Sequence, residues 1–543
     1  MSYTPRQIQG SVRKVTTTLI KNAEVIDGTG RKPDARDVII EGDTIASLQR
    51  PGSCGGQSFD HVIDGKGSYL CPGFIESHAH SDNSPLLSFD DTSKILQGVT
   101  TEVVGNCGFS LAPIAEAFEQ EFYGLVTRIF PREKYPWKDY SQFRAAIEQF
   151  EPITNYAALV GHNTIRIAVR GLDPTPPSPL EMLEMQRLVG EAMEEGAVGL
   201  SSGLIYPPGV FSQPDELNQL VSVLPRGAVY SSHMRNESYN LVASINETLA
   251  AVAGNPVHCH ISHLKFADRF SSSLMDEAVT LLDAHRTAGV ALTQDIYPYT
   301  AASTMLSALL PPWMHEGGSR LLLQRLRDPE TLHRAVEEIN NDRFSYENYA
   351  MAAGWEGIVI ASSHSHRFDG MNLLEIAHQL STAPGLALGK ILVEENLEAT
   401  MIVHAMREED VVTALRSPFT AIGSDGLPLG TGGKPHPRAY GTFARILDFY
   451  VRDKAILSLQ EAIRRMTSLP AGIFGLQDRG SIEVGKKADL VIFDTAGVAD
   501  HATFQDPTNG PTGINSVFVN GVKVVENDRW LERRAGRFVR ARH

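Results

Sequence analysis

The sequence predicts an α/β protein built on a parallel (β/α)8 barrel, and three observations support this prediction. Short β-patterned runs alternate with helical runs through the middle of the 543-residue chain, as expected of successive βα units. The candidate strands recur about every 30 residues, the length of one strand, one helix and two loops. Polar or small residues stand at the strand ends, where a barrel carries its chemistry. These ends are His78, Cys107, Gly161, Ser202, His233, His263, Tyr297 and Asp425.

Four of the intervals between these ends are 29 to 34 residues long, but two intervals are much longer. The interval of 54 residues before Gly161 contains an aromatic-rich stretch. The interval of 128 residues before Asp425 leaves roughly 90 residues beyond one βα unit. The second excess has helical and apolar patterns. It therefore predicts an inserted subdomain between barrel strands 7 and 8, over about 306–400.

Two further β-patterned segments flank the barrel, over residues 16–70 and 480–543. Both contain short alternating strands that stop at turn residues, and the second has an Asn-Gly hairpin signal. We expect the two segments to form one discontinuous small β-sandwich domain, with the barrel over 71–479. Residues 1–15 form a polar N-terminal lead-in without the apolar core of a signal peptide.

Composition limits the classes of function. The chain has 49 Lys and Arg against 64 Asp and Glu, a net charge of −15, which argues against a nucleic-acid or membrane-surface partner. It has no apolar run long enough to predict a transmembrane helix. Four cysteines are too few for a disulfide framework, which favours a reducing, cytoplasmic location. We expect a small-molecule substrate, and the sequence leaves the oligomeric state open.

The strongest local motif is the pair His78 and His80 in GFIESHAH, at the predicted end of the first barrel strand. Side chains two apart on an extended strand point to the same side, so both imidazoles can reach one divalent metal. Other His-x-His pairs occur in the chain. The position at a strand end, rather than the motif alone, singles out this pair.

Cys107 and two further histidines continue the pattern. Cys107 ends the next strand, where a thiolate would be a soft ligand able to bind zinc or bridge two metals. The alternative is an inert buried thiol. His233 and His263 end strands 30 residues apart, and we expect both as metal ligands at the same rim. If His263 points into the barrel, strand alternation should turn His258 and His260 toward the helices, in structural roles.

Three charged residues complete the candidate site. Asp425, in GSDG at the predicted eighth strand end, would overhang the barrel centre. A carboxylate beside a metal-bound water can accept its proton and later deliver it to a departing amine. A turn aspartate is the alternative reading. Lys265 and Arg438 offer a point charge and a planar fork for a substrate carboxylate, unless they are ordinary surface charges.

Five motifs in this order, GFIESHAH, GVTTEVVGNCG, SSHMRNE, ISHLK and IGSDG, resemble the amidohydrolase superfamily, specifically the D-aminoacylase (N-acyl-D-amino-acid deacylase) family. The resemblance covers nearly the whole chain from about Thr16 and extends to SIEVGKKADLVIFD near the C-terminus. The most family-specific feature is the cysteine after strand two, which replaces a carboxylated lysine after strand four. The resemblance implies a (β/α)8 barrel with a small β domain.

The resemblance also implies an activity and its metal ligands. The activity is zinc-dependent hydrolysis of the amide bond of N-acyl-D-amino acids, giving a carboxylate and a free D-amino acid through a metal-bound hydroxide. One zinc would be tightly held by Cys107, His233 and His263. A second, weaker metal position would use His78 and His80, with Cys107 as the bridge.

In the same resemblance, Asp425 is the general base and acid. The substrate carboxylate would be bound by four residues, Lys265, Tyr297, Ser303 and Arg438. Two further histidines in family-like stretches receive no role, His162 and His404.

Three alternatives stay open at this point. A cyclic-amide amidohydrolase of the hydantoinase or dihydropyrimidinase type usually presents a carboxylated lysine, and no lysine lies within 197–203. In a purine or pyrimidine deaminase, Glu237 after His233 would be the acid, but the spacing is wrong and Cys107 would be unexplained. A non-catalytic scaffold should have lost metal ligands, whereas all six candidate positions carry competent residues.

Overall fold

The computed structural model describes residues 15–130, 134–427 and 432–541. The predicted N-terminal lead-in over residues 1–15 lies, apart from Val15, outside the described residues. In chain order the first strands are β1 (Thr17–Val25), β2 (Asp34–Glu41), β3 (Thr44–Gln49), β4 (His61–Asp64) and β5 (Tyr69–Pro72). The middle strands are β6 (Phe74–Glu76), β7 (Val99–Val104), β8 (Asn155–Ala158), β9 (Val160–Gly161), β10 (Gly199–Gly203), β11 (Val229–His233), β12 (His258–Ile261), β13 (Leu292–Ile296), β14 (Ala302–Met305), β15 (Ile358–Ser363), β16 (Ala399–Val403) and β17 (Thr420–Ile422). The last strands are β18 (Leu490–Phe493), β19 (Ile514–Val519), β20 (Val522–Glu526) and β21 (Arg529–Trp530).

The α-helices alternate with the middle strands and follow them. They are α1 (Glu119–Val126), α2 (Tyr140–Gln149), α3 (His162–Arg170), α4 (Pro179–Glu194), α5 (Pro214–Val221), α6 (Leu241–Val252), α7 (Met275–Thr287), α8 (Gly318–Arg327), α9 (Pro329–Asn341), α10 (Tyr349–Ala353), α11 (Leu373–Gln379), α12 (Pro384–Glu394), α13 (Glu408–Arg416), α14 (Arg438–Arg445), α15 (Leu459–Met466) and α16 (Ser468–Ile473). A π-helical segment over Ile446–Asp453 continues α14. Across the described ranges, no helix is both long and apolar enough to cross a membrane.

Eight strand positions close into a parallel barrel. β6, β7 and β8 pair in parallel, and β9 through β13 and then β17 pair in parallel in that order. Leu159 joins β8 to β9 as one barrel strand, since its N–H donates to Val104 O at 2.9 Å. The Ser77 N–H closes the circle by donating to Ile422 O. The predicted fold class, a barrel with a separate sheet domain, is confirmed.

The alternation of side chains along the strands separates core from site. Val229, Ser231 and His233 of β11 lie two apart and point to one face. Val229 packs in an apolar cluster with Ile75 and Val103 from other barrel strands. The apolar residue thus comes first along the strand and the polar one last, so the site forms at the carboxyl end.

The terminal segments form one continuous nine-stranded sheet, ordered β21-β20-β19-β18-β5-β1-β2-β3 with β4 beside β1. β5 from the N-terminal segment pairs antiparallel with β18 from the C-terminal one. Leu70 and Leu490, one from each segment, share a buried cluster. The last described residues return to the barrel, where Val539 N–H donates to Tyr156 O at 2.7 Å.

The insertion between barrel strands 7 and 8 carries its own small sheet, in which β16 pairs antiparallel with β14 and β15. Helices α8 to α12 lie between these strands in the chain. The continuous helical pattern after residue 320 forms two helices because Asp328 stops the first and caps the second. Its carboxylate accepts from Thr331 N–H at 2.9 Å, and Pro329 occupies the first turn, a position where proline loses no hydrogen bond.

Candidate active site

Cys107 lies at the centre of a group of histidines at the carboxyl end of the barrel. Its Sγ is 3.3 Å from His78 Nε2 and 3.4 Å from His263 Nε2. The ring of His233 packs edge-on against that of His263, with centroids 4.4 Å apart. All four side chains are buried. The structure therefore brings together residues from four strands that are up to 185 positions apart in the chain.

Asp425 joins this group from the eighth strand. One carboxylate oxygen, Oδ1, lies 3.2 Å from His80 Nε2 and 3.6 Å from His78 Nε2. The other, Oδ2, lies 2.9 Å from Arg438 Nη1. The Asp425 N–H donates to His78 O at 2.8 Å, which fixes the strand-eight loop on the strand-one loop. All six predicted metal and catalytic side chains thus occupy one site.

Three of the six residues have left-handed backbones directly after their strands. The φ angles of Cys107, His263 and Asp425 are 54°, 35° and 50°, in a region that non-glycine residues seldom adopt. Such a conformation costs on the order of 1–3 kcal/mol and persists only where the surroundings fix it. It turns each side chain away from the direction that strand alternation would give it.

Close backbone packing fixes the loop that carries Cys107. A Cβ added at Gly203 would lie 2.0 Å from Cys107 O, and one added at Gly161 would lie 2.3 Å from Gly108 O. Strands three and four therefore need glycine at these positions. The same contact leaves no room for a side chain at Gly203, the end of strand four, so the lysine ligand of cyclic-amide enzymes has no counterpart there.

The environment of Cys107 favours the thiolate. Burial raises the pKa of this thiol, but the charges of His78, His263 and His233 outweigh burial and hold the pKa well below its ordinary value. The thiolate in turn affects the pKa of a neighbouring histidine. Burial lowers the pKa of His80, yet Asp425 and Cys107 raise it to about 9.

Asp425 is held ionised by its neighbours. Burial alone would raise the pKa of this carboxyl, but Arg438, His263 and His80 hold it well below its ordinary value. A carboxylate in this state can accept a proton at neutral pH. Arg438 Nη1 is paired with Asp425, but its Nε is buried without a hydrogen-bond acceptor among the described residues, so Arg438 retains a donor for an anion.

The donor set fits zinc. A thiolate, four imidazoles and a carboxylate are the ligands that this metal uses. Both ring nitrogens of His233 and the Nδ1 of His80 are buried without a hydrogen-bond partner among the described residues. Buried ring nitrogens normally have partners. Since the ligand atoms of His78, Cys107, His263 and Asp425 lie within 4.8 Å of one another, one ion could reach several of them.

Glu237 is a site residue that the sequence reasoning missed. It is 1% exposed, and its Oε1 lies 2.6 Å from Lys265 Nζ and 2.9 Å from His263 Nδ1. His263 Nε2 faces Cys107, and its Nδ1 lies beside both Glu237 Oε1 and, at 2.7 Å, Lys265 Nζ, so this charged pair holds the ring in place. The carboxylate also lies 3.8 Å from His233 Nε2. The only sequence signal was its position four residues after His233.

Glu237 is itself held by the insertion. Its N–H donates to Glu347, whose other oxygen accepts from Ser238 Oγ at 2.7 Å. Burial raises the pKa of Glu347 to about 7. Lys265, expected to bind substrate, thus already has a carboxylate partner, and the insertion contributes to the site through this contact.

The expectation for His260 was wrong. Strand β12 ends at Ile261, and the left-handed backbone of His263 breaks the alternation between the two histidines. His260 therefore points into the barrel, where its Nε2 lies 2.7 Å from Asp295 Oδ2. Asp295 also lies 3.3 Å from His78 Nδ1 and accepts from the His263 N–H. Asp295 is the second supporting carboxylate that sequence reasoning missed.

His258 lies nearer the surface and hydrogen-bonds to Thr293 Oγ1 at 2.7 Å. Burial lowers its pKa to about 4. This contact is away from the metal ligands, as expected of a structural role.

The residues expected to bind the substrate carboxylate surround Tyr297. Lys265 Nζ lies 5.6 Å, and Arg438 Cζ 4.6 Å, from the centre of its ring. Arg438 Nη2 donates to Ser303 O at 2.9 Å. The tyrosine hydroxyl donates to Met406 Sδ at 3.6 Å. The structure thus places the four predicted residues side by side, next to Asp425.

Two further histidines lie outside this group. His162 is buried against Glu216 at 2.8 Å, where α3 begins. His404 packs on Phe504 with ring centroids 5.0 Å apart. Neither contacts the six central side chains.

Comparisons with known proteins agree with this geometry. The model of the amidohydrolase family matches residues 61–525. The D-aminoacylase of Alcaligenes xylosoxydans xylosoxydans is 33% identical over 523 residues, which cover 96% of each chain. The zinc- and phosphonate-bound structure of the N-acyl-D-glutamate deacylase of Bordetella bronchiseptica is 32% identical, with a TM-score of 0.80 over 97% of this chain and 100% of that one.

A third relative concerns the metal centre. A solved D-aminoacylase described by one-metal activation and second-metal attenuation of its binuclear centre is 32% identical, with a TM-score of 0.81 over 97% of this chain and 99% of that one. Family match, identity and coverage are high enough to assign the family. The chain belongs to the amidohydrolase family and, within it, to the D-aminoacylase group of N-acyl-D-amino-acid deacylases.

Proposed function

We propose that the chain hydrolyses the amide bond of N-acyl-D-amino acids in a zinc-dependent reaction that releases a carboxylate and a free D-amino acid. The observation that carries this proposal is the position of Cys107 Sγ, 3.3 Å from His78 Nε2 and 3.4 Å from His263 Nε2, with Asp425 on the same group. The activities of the relatives described above support it.

Cys107, His233 and His263 would hold the tightly bound zinc. His78 and His80 would complete a second, weaker metal position bridged by Cys107, in line with the activating and attenuating metals of the D-aminoacylase relative. When bound, zinc lowers the pKa of a water molecule and polarises the acyl carbonyl.

Asp425 would move the proton. Its carboxylate, ionised at neutral pH for the reasons given above, accepts a proton from the attacking water and delivers it to the amide nitrogen as the C–N bond breaks. The contact with Arg438 Nη1 at 2.9 Å orients the carboxylate. His80 Nε2, at 3.2 Å from the other oxygen, restricts its rotation.

The α-carboxylate of the substrate would be bound by Arg438, Lys265, Tyr297 and Ser303. Arg438 Nε is buried without an acceptor among the described residues, and Lys265 has three N–H donors, so one remains beyond Glu237 and the His263 contact. Fixing the acyl carbonyl, the α-carboxylate and the side chain at three points accepts one enantiomer and excludes the other by collision.

The decisive experiment is a screen of paired N-acetyl-D- and N-acetyl-L-amino acids against the zinc-loaded protein, with chiral detection of the released amino acid. The proposal requires release of D-amino acids only. Equal turnover of both enantiomers, or ring opening of hydantoins without turnover of linear amides, would overturn it.

We also propose a cytoplasmic location. All four cysteines are free and buried, which a reducing compartment preserves. The net charge of −15 supports a small-molecule substrate rather than a nucleic-acid or membrane-surface partner.

A further inference from the structure

A cavity of about 620 Å³ lies beside the candidate active site. Ser303 and Arg438 line it, which links it to Asp425 through the 2.9 Å contact of Arg438. Arg128, from the segment that follows α1, lines the same cavity. One space therefore contains the proposed α-carboxylate site and a second arginine.

Arg128 is 3% exposed, and its hydrogen-bond partners among the described residues are all neutral. Its Nε donates to Gly124 O at 3.1 Å, its Nη1 to Ser307 Oγ at 3.2 Å, and its Nη2 to Ser319 Oγ at 2.9 Å. The ring of His315 lies 3.5 Å from Nη1, and burial together with Arg128 lowers the pKa of this histidine to about 3, so it is uncharged. Glu398, a carboxylate that also lines the cavity, is not among these partners.

This setting differs from that of every other buried arginine in the described part of the chain. The other five each have a carboxylate within 4.0 Å, and they are Arg166, Arg170, Arg438, Arg465 and Arg479. A buried charge normally has a counter-charge because burial without one is costly. Burial lowers the pKa of Arg128 only to about 10, which keeps it cationic at neutral pH.

Arg128 also keeps hydrogen-bonding capacity. A guanidinium has five N–H donors, and the three bonds of 3.2 Å or less use one on each nitrogen. Because the second N–H of Nη1 faces His315 Nδ1 at 3.5 Å, the second N–H of Nη2 is the one left to donate to a carboxylate, in a charge-assisted hydrogen bond.

We propose that Arg128 binds a second carboxylate of the substrate, so that the enzyme acts on N-acyl-D-amino acids with an anionic group besides the α-carboxylate. This inference rests on the proposed function and specifies its substrate class. The second carboxylate can belong to an acidic side chain, as in D-glutamate, or to a dicarboxylic acyl group, as in a succinyl amide. The shared chemistry is a carboxylate that reaches Arg128 from the site at Arg438.

The test compares two pairs of substrates that differ only in this charge. One pair is N-acetyl-D-glutamate and N-acetyl-D-glutamine, and the other is N-succinyl-D-leucine and its neutral succinamoyl analogue. Because a hydrogen bond to a charged group contributes about 1.5–3 kcal/mol, kcat/KM should favour the anionic member of one pair by about 10- to 100-fold. The pair that shows the preference identifies the source of the carboxylate.

Arg128→Met should bring that ratio close to one. Arg128→Lys should retain part of the preference for the anionic substrate, because lysine supplies a single point charge. This variant replaces Arg128→Met in the test if the methionine variant does not fold. The matched control is Arg325→Met, a half-buried arginine of the insertion that donates to Met314 O at 3.0 Å and does not line the cavity. This control should keep the wild-type ratio.

Three results would overturn the inference. Wild-type ratios near one in both pairs would refute it and leave the proposed function intact, because the neutral D-substrates are still hydrolysed. If Arg128→Met keeps the same ratio as the wild type and the Arg325→Met control, the assignment to Arg128 is refuted. If the methionine variant does not fold, an Arg128→Lys ratio equal to that of the control refutes it. If none of the four substrates is hydrolysed, both the inference and the proposed function are refuted.

Discussion

Replacing Glu237 by glutamine should destabilise the protein and weaken its hold on zinc. The carboxylate is buried and lies 2.6 Å from Lys265 Nζ and 2.9 Å from His263 Nδ1. Burial would raise the pKa of Glu237, but Lys265 and the two histidines His233 and His263 lower it to about 2. The amide keeps the shape but removes the charge, leaving the ammonium group of Lys265 buried without a counter-charge.

The magnitude follows from these contacts. Breaking a buried ion pair by removing one partner costs about 3–5 kcal/mol. With about 2.1 cal/mol/K of unfolding entropy per residue, a chain of this length loses roughly 3–4 °C in Tm for 4 kcal/mol if it unfolds as one unit. Loss of the carboxylate charge beside His263 Nδ1 should also weaken zinc binding by about 10- to 100-fold.

The assay is thermal unfolding with a chelator present, so that zinc affinity does not contribute, followed by zinc titration of the same samples. Glu395→Gln is the matched control, since among the described residues this buried carboxylate accepts from Ser365 alone, at 2.9 Å from its N–H and 2.5 Å from its hydroxyl. It should lower Tm by less than Glu237→Gln does, because hydrogen bonds to a charged group contribute about 1.5–3 kcal/mol and the change leaves no buried cation without its partner. If Glu237→Gln lowers Tm no more than this control and binds zinc as the wild type does, the role given to Glu237 is wrong.

Three further predictions address the metal, the proton transfer and the pH dependence. Cys107→Ala should lose bound zinc in elemental analysis while Cys71→Ala, which removes a buried thiol remote from the site, keeps it; a fully loaded Cys107→Ala protein would refute the ligand assignment. Asp425→Asn should keep its zinc but lower kcat by about 10²- to 10⁴-fold, the usual effect of removing a general base, and a kcat within tenfold of wild type would exclude that role. Burial raises the pKa of Asp500 to about 6, so the native state binds this proton more tightly than the unfolded chain. The free energy of unfolding should therefore fall as pH rises from about 4 to about 6, by up to about 3 kcal/mol. The Tm of Asp500→Asn, measured across this range, should lack that decrease. Parallel curves of Tm against pH for the wild type and the variant would contradict the prediction.

Much of the fold and of the central site followed from sequence spacing. A parallel barrel carries its reactive side chains at the carboxyl ends of its strands, so regular spacing of His78, Cys107, His233 and His263 was enough to predict their convergence. The proposed ligands could be chosen without tertiary information, because thiolate and imidazole chemistry is a property of the residue. Asp425 follows an irregular interval of 128 residues, and its proposed role came from the family resemblance, because a turn aspartate was the alternative from the residues alone.

The supporting residues could not be predicted in this way. His260 was assigned to the wrong face because alternation assumes an extended backbone, and the φ of 35° at His263 breaks it. Asp295 contacts His78 across 217 positions of sequence, a separation at which no local pattern carries information.

The sequence by itself determined the barrel and predicted which thiol, imidazole and carboxylate side chains meet at its rim, because strand period and residue chemistry are local properties. Only the tertiary structure decided which carboxylate lies beside His263 and which buried arginine has no carboxylate partner among the described residues. Glu347 reaches the N–H of Glu237 across 110 positions, and the neutral surroundings of Arg128 come from residues up to 191 positions away. Whether a buried charge is compensated depends on every group that packs around it, and that is settled only when the chain has folded.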